Sequence, residues 1–135
     1  MNYDILIDSF GNKRYYVNNL LHREDGPAIE YIVGDKEWYK NGKLHREDGP
    51  AGQYADGTKK WYKNGKRHRE GGPAIEFPSG SKYWYKNGQL HREDGPAIEY
   101  HSLNKEWWLN NKFYGYYNKF TVESWKFFVK TLIFS

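Results

Sequence analysis

The sequence predicts an all-β repeat protein: an elongated, single-layer antiparallel sheet of about five repeated β-hairpins, closed by a short C-terminal α-helix. Three observations carry that prediction. First, one phrase of 23 residues recurs, with His22, His45, His68 and His91 in step, likewise Tyr15, Trp38, Trp61, Trp84 and Trp107, and the pairs Gly26-Pro27, Gly49-Pro50, Gly72-Pro73 and Gly95-Pro96. Strict periodicity of this length marks an array of small supersecondary units. Second, each copy is written in the chemistry of strands and tight turns. Third, the phrase fades after Trp107, and apolar residues there take up helical spacing.

The elements follow in chain order. Residues 4–16, in "DILIDSFGNKRYYV", read as a degenerate opening hairpin, because Leu6, Ile7 and Asp8 stand one period before Ile29, Glu30 and Tyr31. In a complete copy, "AIEFPSGSKYWYK" (Ala74 to Lys86) reads as two short strands around a four-residue turn that holds a glycine. Its aromatic and β-branched residues favour strands, and the connection length suits a hairpin. Asn41-Gly42, Asn64-Gly65 and Asn87-Gly88 mark a second, tighter turn, since both residue types tolerate positive φ. "REDGP" then breaks the ladder, because proline has no N–H to donate and restricts the residue before it. The repeat array is placed at residues 1–112 and the helical cap at 113–135. In "TVESWKFFVKTL", Thr121 is the expected N-cap and Glu123 lies in the first turn. Val122, Trp125, Phe128, Val129 and Leu132 share one stripe, suited to covering the exposed last hairpin.

A four-residue turn pairs Phe77 with Lys82 and so sets Ile75 opposite Trp84. One face is then apolar and structural, carrying Ile29, Ile75 and Ile98 with Trp38, Trp61, Trp84, Tyr31, Tyr54 and Phe77; Trp107 is counted as structural with them. Burying each ring there contributes about 2–3 kcal/mol. The other face carries Glu30, Gln53, Glu76 and Glu99 beside a row of Tyr16, Tyr39, Tyr62 and Tyr85. A slip of one residue exchanges the faces. The copies differ most at Arg14, Glu37, Lys60, Tyr83 and Glu106, and at turn pairs such as Ile32-Val33 and Ala55-Asp56. Variable positions on a constant frame are either a specific surface or simply unconstrained. The candidates for contact with a partner are Arg14, Glu37, Tyr39, Lys60, Tyr62, Glu76, Tyr83 and Tyr85.

Composition narrows the chemistry. Aromatic residues make up 19% of the chain, so burial comes from rings. The absence of cysteine excludes a disulfide framework, thiolate catalysis and thiolate metal sites. No apolar run reaches the roughly 18 residues of a membrane span, and the first ten residues lack the features of a secretory signal. A soluble, cytoplasmic protein with no membrane insertion is the expectation. The net charge of +4 is spread over interleaved signs, which permits an acidic partner without demanding one.

Successive hairpins set equivalent histidines roughly 9–10 Å apart, too far for two to share a zinc at about 2.1 Å. No metal and no cofactor are expected. Each histidine is expected to donate to a backbone carbonyl near the Gly-Pro bend, and each adjacent Arg-Glu pair, such as Arg23-Glu24, to be mutually neutralising. Every potential acid or base is copied along an open surface, whereas a catalytic site is a single convergent pocket. The chain is therefore read as no enzyme.

The phrase "WYKNGKLHREDGPA" with the following "Y.DGTK" resembles a variant of the MORN-type repeat, over roughly residues 4–112. It departs where that family has His-Gly-x-Gly, since His45 is followed by Arg46-Glu47-Asp48-Gly49-Pro50. Arrays reading "LHREDGPAIEY...WYKNG" and closed by a short helix also resemble proteins of large phages and giant viruses. The resemblance implies a curved antiparallel sheet that scaffolds or binds other molecules without catalysis. For a phage protein it implies an inhibitor of a host enzyme or defence complex.

The expected function is a non-enzymatic module that binds a protein partner. One alternative is a nucleic-acid binder using the Tyr row with Lys60, Lys63, Lys66 and Arg67, although the neighbouring glutamates repel phosphate. A second is a homo-oligomeric scaffold joined through the terminal caps.

Overall fold

The computed structural model describes residues 1–133. The chain divides into two compact units, Met1–Arg67 and a second that begins at His68. In the first, the strands Asp4–Ile7, Lys13–Val17, Ile29–Glu30, Lys36–Glu37, Gly52–Gln53 and Lys59–Lys60 pair in that order, all antiparallel. In the second, Ile75–Glu76, Lys82–Tyr83, Ile98–Glu99, Lys105–Leu109 and Lys112–Tyr116 do the same. The helix Val122–Ile133 follows. The fold is thus all-β, built from repeated antiparallel hairpins with a short helix at the end.

The first turn of each copy corrects the register expected from the sequence. Phe77 N–H donates to the Ser81 carbonyl at 3.0 Å, and Gly80 N–H donates back to the Phe77 carbonyl at 2.9 Å. Gly80 has φ +97°, so the loop is three residues closed by a glycine bulge rather than a four-residue turn. The same pair of bonds, with Gly34 at φ +102° and Gly57 at φ +97°, closes the turns at Tyr31 and Tyr54. The shorter loop moves the pairing by one residue: Glu76 faces Lys82 and Ile75 faces Tyr83, not Trp84. Ile29, Ile75 and Ile98 are buried as the sequence suggests. Trp38, Trp61 and Trp84, however, leave that face and are half-buried.

The tryptophans pack under arginines instead. The Arg46 guanidinium lies 4.0 Å from the centre of the Trp38 ring, Arg92 lies 3.9 Å from Trp84, and Arg23 lies 4.0 Å from Tyr15. Arg46 also donates to the Pro50 carbonyl at 3.1 Å. A Cβ on Gly49 would stand 3.0 Å from the Arg46 Cζ, a tight contact with the tip of that side chain. Asn41-Gly42, Asn64-Gly65 and Asn87-Gly88 form the expected tight turns, with both residues at positive φ. Asn18-Asn19 and Asn110-Asn111 take the same conformation in the first and last copies.

The linker histidines do not donate to carbonyls. His22, His45, His68 and His91 each accept, at Nδ1, the N–H of the asparagine 19 residues onward, at 2.9–3.1 Å. Because a backbone N–H can only donate, the proton sits on Nε2, which donates to Glu24, Glu47, Glu70 and Glu93 respectively. The glutamates are thus engaged by histidine rather than by the adjacent arginine. Arg23, Arg46 and Arg92 pair with Asp25, Asp48 and Asp94 through Nε at 2.9–3.0 Å.

At the C-terminal end, Trp107, Leu109, Trp125 and Val129 form a buried cluster, with Tyr114, Phe120 and Phe128 packed on it. Trp125 is fully buried, and its Nε1 donates to the Arg92 carbonyl at 2.9 Å. Thr121 caps the helix as expected, its Oγ1 accepting the Ser124 N–H at 3.1 Å. The buried stripe is narrower than the sequence suggests, because Val122 and Leu132 stay 40% and 41% exposed.

Candidate functional site

Within each unit the corrected register gathers the variable positions on one face. In the first unit, Arg14 stands opposite Ile29, Ile29 opposite Glu37, Glu37 opposite Gly52, and Gly52 opposite Lys60. In the second, Tyr83 and Glu106 flank Ile98 in the same manner. Directly opposed residues share a side of the sheet, so the positions that differ between copies cover the buried isoleucines.

Aromatic rings surround this line. In the first unit the Tyr39 hydroxyl donates to Glu37 Oε2 at 2.8 Å. Arg14 lies 5.9 Å from the Tyr31 ring centre and pairs with Asp8 at 3.1 Å. Gly52 replaces the isoleucine of the other copies, and Tyr54 fills the space: a Cβ on Gly52 would meet the Tyr54 ring at 2.8 Å. Lys60 Nζ sits 5.2 Å from the centre of that ring. Burial, followed by the hydrogen bond to Glu37, raises the Tyr39 phenol well above its usual value. Burial, with the Glu37 charge second, pushes Tyr54 up to about 12. Both phenols therefore stay neutral donors at physiological pH.

In the second unit Tyr83 packs edge-on against Phe77 and Tyr100, with ring centres 5.4 and 6.1 Å away. Glu106 Oε2 accepts from the Tyr100 hydroxyl at 3.2 Å and from the Trp108 indole N–H at 3.4 Å. Burial first, and Glu106 second, push the Tyr100 phenol up to about 12.

Of the eight candidates read from the sequence, Arg14, Glu37, Tyr39, Lys60 and Tyr62 lie together in the first unit. Tyr62 is close enough to bear on the Tyr54 phenol, and Arg67 Nε donates to its hydroxyl at 3.4 Å. Tyr83 holds the equivalent position in the second unit, and Tyr85 follows it opposite Leu90. Glu76 does not join them. It faces Lys82 on the opposite side and pairs with Arg69 at 3.1 Å. That side carries Lys13, Glu30, Lys36, Gln53 and Lys59 across successive strands of the first unit, three lysines alternating with one glutamate and one glutamine.

Sequence reasoning set Tyr31 and Tyr54 apart as structural and did not single out Tyr100 or Trp108. The available signal was the spacing of two between Glu37 and Tyr39 and between Glu106 and Trp108. Among the described residues, no three His, Asp or Glu side chains are grouped so as to hold a metal ion, and no helix is long and apolar enough to cross a membrane. No family model and no curated protein matches the chain.

Proposed function

We propose that this chain is a non-enzymatic repeat module that binds a protein partner through its tyrosine-lined face. The observation that carries the reading is the alignment of Arg14, Glu37 and Lys60 over buried Ile29 and Gly52, with the matching row of Tyr83 and Glu106 over Ile98. A constant frame varies its side chains along one line, amid the tyrosines and tryptophans that are enriched at protein interfaces. The opposite face repeats lysine and glutamate almost unchanged from copy to copy. The resemblance to arrays of large phages and giant viruses extends the reading to an inhibitor of a host enzyme or defence complex, acting in the host cytoplasm.

Affinity capture from host lysate, run with and without nuclease, tests this reading. The expected result is a stoichiometric protein that survives nuclease and is lost from a Tyr83→Ala, Tyr39→Ala variant that remains folded. Bands that vanish on nuclease treatment contradict it in favour of nucleic acid. Empty lanes, with the chain eluting as an oligomer, contradict it in favour of a scaffold.

A further inference from the structure

On the charged face and in the linkers, carboxylates are held by the chain's own cations or histidines. Glu30, Glu76 and Glu99 each bind an arginine at 3.0–3.2 Å, and the linker glutamates bind histidine. The tyrosine-lined face is different. Among the described residues, neither Glu37 nor Glu106 has a cationic side chain within ion-pair distance. Each is half-buried and takes its hydrogen bonds from aromatic side chains alone. In the first unit Arg14 pairs with Asp8, and Lys60 Nζ lies 5.2 Å from the centre of the Tyr54 ring.

A half-buried carboxylate keeps much of its desolvation cost without an opposite charge to offset it. Ring faces beside it attract a cation through their quadrupole. A guanidinium satisfies both demands at once, because its planar fork bonds a carboxylate while its face stacks on an aromatic ring. We infer that Glu37 and Glu106, each with its aromatic neighbours, are capture sites for arginine side chains presented by a basic segment of the protein partner. The inference rests on the protein-binding reading and names the chemistry of its partner. The arrangement occurs once in each unit, from different residues: Glu37 with Tyr39, and Glu106 with Tyr100 and Trp108.

The test titrates a hexa-arginine peptide into the full-length protein at low salt, with hexaglutamate as control. The Trp108 indole N–H resonance serves as a local probe. The expected result is binding of hexa-arginine alone, with a shift of that resonance. Glu37→Gln with Glu106→Gln keeps an acceptor for the tyrosines, so the fold persists, but it should weaken binding at least about tenfold, as expected for lost charge-assisted bonds. Asp48→Asn, on an exposed linker, should change affinity less than about twofold. No binding to wild type, or equal weakening by Asp48→Asn, overturns the inference. So does a captured partner that is lost with Tyr83→Ala but retained by the double glutamine variant, an outcome that leaves the protein-binding module itself standing.

Discussion

At the scale of single residues, His45 shows how a copy is tied to the next. Its Nδ1 is the acceptor for the Asn64 N–H at 2.9 Å, while Glu47 fixes the tautomer from the other side of the ring. Replacing it with leucine leaves a partly buried N–H without an acceptor. His45→Leu is expected to cost about 1–3 kcal/mol in urea denaturation. Glu47→Gln, which keeps an acceptor for Nε2, should cost much less. Tyr54 gives a pH signature. Its phenol is raised to about 12 by burial and by Glu37, whereas an unfolded tyrosine ionises near 10. Between those values the folded chain holds a proton that the unfolded chain has lost. This contribution is fully present below about pH 10 and is lost as pH climbs toward 12. Tyr54→Phe removes one of several raised phenols and should lessen the alkaline fall in urea midpoint between about pH 9 and about pH 11; an unchanged slope contradicts the assignment.

At the scale of elements, the turn decides which side chains share a face. The period, the Asn-Gly turns, the opening hairpin and the Thr121 cap are all legible in the sequence, because each depends on local chemistry at fixed spacing. The face assignment is not legible. "FPSGSK" is compatible with a loop of four residues or of three closed by a bulge, and only the backbone of Gly80 distinguishes them. That single choice moves Trp84 off the isoleucine side and puts Tyr83 on it. The linker partners are hidden for a related reason: His45 bonds across 19 residues, to a neighbour that the stacking of copies supplies. The last copy sharpens the point. Leu103 occupies the bulge position at φ +70° and is 74% exposed. A leucine there is strained without packing in return, so Leu103→Gly should stabilise the chain by roughly 1 kcal/mol. The reverse change at the equivalent site, Gly80→Leu, should destabilise it by about 1–3 kcal/mol, and thermal melts of both check the sign. In the cap, Trp125→Ala removes a fully buried ring and the donor to the Arg92 carbonyl. A loss of about 3–5 kcal/mol is expected in denaturant unfolding.

At the scale of the whole molecule, the two sides of each hairpin carry different side chains. One side stays constant, a ladder of lysine and glutamate backed by arginines lying on Trp38 and Trp84. The other varies its charge over a floor of isoleucine and is rimmed by tyrosine. Copying the frame repeats the hairpin turns and the histidine bonds, while Arg14, Glu37, Lys60, Tyr83 and Glu106 differ from copy to copy. Consecutive residues Lys59 and Lys60 fall on opposite sides, and the chain contains no cysteine. A single cysteine at either position can therefore carry a photocrosslinker without other labelling. The most direct measurement is crosslinking in host lysate from Lys60→Cys against Lys59→Cys. A discrete protein adduct from position 60 and none from position 59 is the predicted result. Adducts from position 59 alone, or equally from both, contradict the assignment of the tyrosine-lined face as the binding surface.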